Sequence, residues 1–141
     1  MAIAQMNWGQ MRYPLSDPRM KEFADQLDAV YQLAEDAPGF VWRIGADQLA
    51  AELADLGYDD KTSATVSVWQ SIGGLRQYTY EGAHSMYLNR SQEWFKNVDG
   101  PQLVIWQVES DSQPSFFDAQ KRLDHLKQHG PTDYAHDRLR K

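Results

Sequence analysis

Apolar and polar residues alternate over Ala2–Met11, with Ala4, Met6 and Trp8 on one side and Gln5, Asn7 and Gly9 on the other, the period-two pattern of a strand. The turn YPLSDP follows, and Asp17 is placed to cap a helix whose first position is Pro18, where a missing N–H costs nothing. Met20, Phe23, Leu27, Val30, Tyr31 and Ala34 recur at three- and four-residue spacing, which predicts a helix with one apolar stripe that ends before Pro38-Gly39. The β-formers of Gly39–Ile44 predict a second strand. In ADQLAAELADLGYDD a short helical excursion is expected, with Asp47 as cap, Leu49, Leu53 and Leu56 as stripe and Gly57 as stop. Thr62–Gln70 reads as a third strand, apolar enough to be buried on both faces.

Ser71 can cap the next helix, although Gly73-Gly74 weaken its first turn. From Gly82 to Val98, His84, Tyr87, Leu88, Ser91, Trp94 and Phe95 share one helical face, and Gly100-Pro101 closes that segment. Leu103–Val108 is the fourth expected strand, and Ser115-Phe116-Phe117-Asp118 opens a last helix with Phe116, Ala119, Leu123 and Leu126 inward. The order β-α-β-(short α)-β-α-β-α fits an α+β chain of ferredoxin-like βαββαβ type, a four-stranded antiparallel sheet with both main helices on one face and an extra C-terminal helix. One sheet face would then be bare. Each expected strand carries a tryptophan (Trp8, Trp42, Trp69, Trp106), so a second copy is expected to cover that face and make a homodimer.

A chain of 141 residues is sized for one domain, placed at residues 1–132, with 133–141 a C-terminal tail or an arm that packs on something else. The net charge of −6 and the scattered basic residues argue against a nucleic-acid partner. Without cysteine there is no disulfide framework, thiolate nucleophile or Cys-ligated metal. No basic and apolar leader opens the chain and no run of ~20 apolar residues could span a bilayer, so no membrane and a cytoplasmic location are the expectations.

Five blocks in order, LSDPRMKEFADQLDAVYQLAEDAPGFVWR, SVWQSIGGL, YEGAHSMYLNRSQEWF, LVIWQV and RLDHLKQHGPT, resemble the domain of unknown function 3291 family, within the dimeric α/β barrel superfamily related to antibiotic-biosynthesis monooxygenases. The resemblance covers about Ala2 to Thr132. It implies a dimer with facing sheets and, in each subunit, a pocket between sheet and helices. The activities it implies are cofactor-free monooxygenation, haem degradation, polyketide cyclisation, decarboxylation and isomerisation.

His84 is the histidine of the chain's middle, and its ordinary pKa near about 6.5 suits proton transfer at neutral pH; the plainer alternative is a core imidazole bonded to a carbonyl. Trp42, Trp69, Trp94 and Trp106, with Tyr78, Tyr80 and Tyr87, could line a slot for a flat aromatic substrate or simply fill the core. Asn7, Arg43 and Ser67 are polar positions inside strands, where an unpaired group is costly; Asn7 or Arg43 could stabilise a developing oxyanion. Arg90 either pairs with Glu93 on the surface or clamps an anionic substrate. Asp124, His125 and His129 form a weak metal pattern that lacks a third spaced ligand, so no metal is expected.

No nucleotide or serine-hydrolase motif is present. The expectation is a small-molecule enzyme without a cofactor, a monooxygenase or a cyclase or isomerase, acting on an aromatic or polyketide-like substrate by proton transfer at His84. The alternatives are a haem protein with His84 as axial ligand and a non-catalytic ligand-binding dimer.

Overall fold

The computed structural model describes residues 1–83 and 91–139. Strand β1 (Ala2–Met11) is followed by a 3-10 turn at Pro18–Met20, helix α1 (Lys21–Asp36), β2 (Phe40–Arg43), α2 (Ala46–Asp55) and β3 (Thr62–Trp69). Next come α3 (Ile72–Gln77), a π-helical turn at Tyr78–Ala83, α4 (Ser91–Trp94), β4 (Phe95–Lys96), β5 (Leu103–Val108) and α5 (Phe116–His129). Asp17, Ser71 and Ser115 cap the helical segments after them, each accepting a backbone N–H on its side chain. Asp47 does not. Gly45 holds the cap position of α2, and Asp47 sits inside the first turn, where its charge still favours the helix dipole.

The chain is a mixed α+β protein with a five-stranded antiparallel sheet built around β1. β3 pairs with β1 from Ile3↔Trp69 to Gln10↔Thr62, and β5 pairs along the opposite edge from Ala2↔Val108 to Asn7↔Leu103. β2 lies outside β3, so the long strands run β2-β3-β1-β5. The fifth strand, β4, is a correction: helix was expected through Val98, but it ends at Trp94 and Phe95-Lys96 pair with Met11 and Gln10 beyond the end of β5. Gly9 permits this approach, because a Cβ there would lie 2.9 Å from the Phe95 ring. That ring meets Phe23 of α1 edge-on, at 5.2 Å between centroids.

The second correction concerns the bare face. Ala4, Met6, Val66, Val68, Val104 and Trp106 point to one side of the sheet, where Phe116, Ala119, Leu123 and Leu126 of α5, with Leu49 and Leu53 of α2, cover them. Trp69 and Ile105 point to the other side, against Ala34 of α1, Leu75 of α3 and Leu139. Among the described residues helices of the same chain thus pack on both faces, so the tryptophans do not by themselves require a second copy. A short helix with a leucine stripe was read as an excursion; instead it supplies part of a layer.

Glu52 joins the two helices of that layer. Its buried carboxylate accepts the N–H groups of Phe116 (2.9 Å) and Phe117 (3.3 Å) at the start of α5, and its other oxygen accepts from Gln48 (3.0 Å). After Thr132 the chain returns to the sheet. His136 bridges Ile105 on the outer edge of β5 through N–O distances of 2.6 and 3.0 Å, and Ala135 and Leu139 are buried. Among the described residues no helix is long and apolar enough to cross a membrane.

Candidate functional site

The α1 side of the sheet is only partly filled by apolar side chains. Where β1 and β3 carry Gln5, Asn7, Thr65 and Ser67 in place of aliphatic residues, the space between sheet and helices opens into a cavity of about 400 Å³. Val30, Tyr31 and Ala34 of α1, Leu75 of α3, and Tyr78 and Thr79 of the π-helical turn wall it, and Leu139 closes one side.

The floor is polar because register places those residues together. Gln5 lies opposite Ser67, Asn7 opposite Thr65, and Arg43 of β2 opposite Ser67 on its other side. Gln5 is 3% exposed, so its amide has to be bonded by the protein. Its Nε2 donates to Ser67 Oγ (2.7 Å) and to Thr65 Oγ1 (3.2 Å), while its carbonyl accepts from Asn7 Nδ2 (3.0 Å). Trp69 Nε1 donates to the same Ser67 Oγ at 2.9 Å. The Trp69 indole is itself stacked by Tyr78, with centroids 5.0 Å apart and planes at 27°, and Tyr78 donates its hydroxyl to the Val30 carbonyl at 3.3 Å. A flat wall therefore stands beside a hydrogen-bonding floor.

Arg43 supplies charge at this floor. Its Nε donates to Glu35 at 3.2 Å and its Nη1 to the Ile44 carbonyl at 3.3 Å, and the guanidinium lies 4.3 Å from the centroid of the Tyr31 ring. Burial pushes the Tyr31 hydroxyl above its usual pKa, a shift that Arg43 partly opposes, so at neutral pH the phenol is a neutral donor.

Of the residues singled out from sequence, Asn7, Trp8, Arg43, Ser67, Trp69 and Tyr78 line this cavity. Trp42, Trp94 and Trp106 are not among its lining residues. Trp106 is fully buried under α5, Trp42 packs into the same cluster, and Trp94 packs with Phe23 in a third cluster beside Met11 and Met20. His84, Tyr87 and Arg90 lie outside the described residues. Gln5, Thr65 and Tyr31 were missed. The signal for Gln5 was the polar side of β1, legible as alternation but identical to that of a solvent-facing strand, whereas Thr65 was hidden by the reading of β3 as apolar on both faces.

A haem would need an axial ligand here. The described lining contains no imidazole, thiolate or thioether, and His84, the axial ligand expected from sequence, lies outside the described residues. Nor do the described residues contain a group of three or more His, Cys, Asp or Glu side chains that could hold a metal ion. His125 and His129 do come together, with ring centroids 4.5 Å apart, but Tyr134 packs edge-on against His125 and Thr132 Oγ1 bonds its Nε2 at 3.2 Å.

The cavity combines an aromatic wall, neutral hydrogen-bond donors and one guanidinium, which suits holding a planar molecule by its face and an oxygen by its edge. No curated protein and no solved structure matches the chain. Residues 2–139, nearly the whole sequence, match the family model described as Domain of unknown function (DUF3291), and the chain belongs to that family.

Proposed function

We propose that the protein takes a flat, largely apolar small molecule, aromatic or polyketide-like, into the cavity beneath α1. The observation that carries this reading is the stacked pair Trp69 and Tyr78 beside the Gln5–Ser67 floor, in a space of about 400 Å³ that suits a small ring system. The strand order β2-β3-β1-β5, with α1 and α3 on the cavity side, supports a ferredoxin-like description of the core. A barrel closed by sheet-to-sheet contact between two copies would need a free sheet face, whereas among the described residues helices of the same chain pack on both; the reading does not depend on a dimer.

The chemical step assigned to this cavity is proton transfer on the bound molecule, as in a cyclase, an isomerase or a cofactor-independent monooxygenase. Among the described lining residues no carboxylate or imidazole can take a proton. His84 follows directly in sequence on the π-helical turn whose Tyr78 and Thr79 line the cavity, so it is the group to which that role falls.

Native mass spectrometry of freshly purified protein tests the binding reading, with an added small-molecule mass as the expected result. An empty protein whose tryptophan fluorescence responds to no flat aromatic compound would overturn it. Comparison of His84→Ala with the unaltered chain on the identified molecule then tests the reaction: turnover is expected to disappear with affinity retained. A ligand that is bound and never turned over leaves a protein that only sequesters.

A further inference from the structure

We infer that the cavity selects a ligand carrying an anionic oxygen, a carboxylate, enolate or phenolate, seated on the hydroxyls of Ser67 and Thr65 beside Arg43. This rests on the cavity taking a flat molecule, and adds which end of that molecule faces the floor.

The argument is one of hydrogen-bond supply. A hydroxyl has one proton to give and two lone pairs to receive. Ser67 Oγ receives both Gln5 Nε2 and Trp69 Nε1, so its lone pairs are taken and only its proton remains. The indole can only donate, which fixes its half of the arrangement. Thr65 Oγ1 receives the second hydrogen of the Gln5 amide. Asn7 Nδ2 donates to the Gln5 carbonyl, which leaves both Gln5 amide hydrogens for the two hydroxyls. Neither hydroxyl proton has an acceptor among the described residues; Thr65 is half-buried, but Ser67 is buried, and a buried donor left unmade is costly. The floor therefore lacks an acceptor, which the ligand supplies.

Charge agrees with that count. Arg43 stands next to Ser67 in register, on the same face, and only part of its guanidinium is engaged by Glu35 and Ile44. It is the one charged side chain among the described lining residues, in a chain whose net charge is −6. A cationic ligand would meet Arg43 and two hydroxyl protons, and the nearby carboxylate, Glu35, does not line the cavity and is already paired with Arg43. An anion meets three donor groups already oriented, at little cost in ordering them.

Calorimetric titration at neutral pH with three probes of one ring system separates this inference from the reading beneath it: 2-methylnaphthalene, 2-naphthoate and 2-naphthylmethylammonium. The naphthoate is expected to bind about tenfold or more tighter than the ammonium. Ser67→Ala and, independently, the isosteric Thr65→Val are expected to weaken naphthoate about three- to thirtyfold while moving 2-methylnaphthalene by less than about twofold. Equal binding of naphthoate and ammonium, or an equal loss for naphthoate and methylnaphthalene in both variants, overturns the anion preference and leaves the cavity reading standing. If no probe binds to the folded protein, both fall. Circular dichroism of each variant identifies a chain that has not folded, and Thr65→Val carries the test should Ser67→Ala be that chain.

Discussion

Glu52 of α2 accepts the backbone N–H of Phe116, the first residue of α5, at 2.9 Å, so one helix caps another through a side chain 64 positions away in sequence. The carboxylate is buried and its second oxygen is held by Gln48, so it is fully engaged. Glu52→Ala strands two helix N–H groups beneath the protein surface, and a loss of about 2 kcal/mol is expected from urea unfolding. Glu52→Gln keeps an acceptor and loses only the charge, so a cost of roughly 0.5–1 kcal/mol is expected. Equal costs for the two variants would show that the charge, not the acceptor, holds α5.

Gly9 makes a sharper case, because nothing but space is at stake. A methyl group added there meets the Phe95 ring at 2.9 Å, and Phe95 is braced by Phe23. Gly9→Ala is expected to cost about 1–3 kcal/mol, and Gly9→Ala with Phe95→Leu less than the sum of the two single changes. Additive costs in that double-mutant cycle would mean that the ring moves aside freely.

Leu139 is both a wall of the cavity and an anchor of the C-terminal segment, since its carbonyl accepts from Arg76 at 2.6 Å. Ending the chain after Thr132 removes the His136 carbonyl that accepts the Ile105 N–H. Hydrogen exchange at Ile105 is then expected to rise by orders of magnitude while the amides of β1 that pair with β3 stay protected. Unchanged exchange at Ile105 would show that the segment contributes nothing to the stability of β5.

The docking of that segment is expected to depend on pH through His136. Burial, reinforced by the Arg138 charge, depresses its pKa below the ordinary value of 6.5. The imidazole accepts the Arg138 N–H at 3.2 Å, which only the neutral ring can do. The folded chain therefore binds the proton less readily than the unfolded one. The docked state keeps its full stability above pH 6.5 and loses it as pH falls below that value. Exchange at Ile105 measured between pH 7.5 and 5, corrected for intrinsic rates, should show this, and His136→Gln should flatten the profile. A profile of the same slope in both proteins would assign the effect to another group.

Local rules carried much of the fold. The alternation in β1, the stripe of α1 and the caps at Asp17, Ser71 and Ser115 are short-range preferences that packing reinforces. Phe95 was read as helical because it continues the spacing of Trp94, whereas unpaired backbone at the end of β1 drew it into a strand. The role of α2 depended on which face Leu49 and Leu53 would find, which sequence spacing does not state. The site divides the same way. Asn7, Arg43 and Ser67 stood out as polar groups in strands, but the register that makes Gln5 and Thr65 their partners exists only once β1 and β3 are aligned.

The bridge between His136 and Ile105 has a consequence for solubility. Leu103–Val108 is a six-residue border strand with no charge and no proline, a sequence that recruits identical strands from other molecules when its outer row of amides is open. The returning C-terminal residues occupy the middle of that row, so a chain that lost them would be prone to assemble edge to edge into fibrous aggregates.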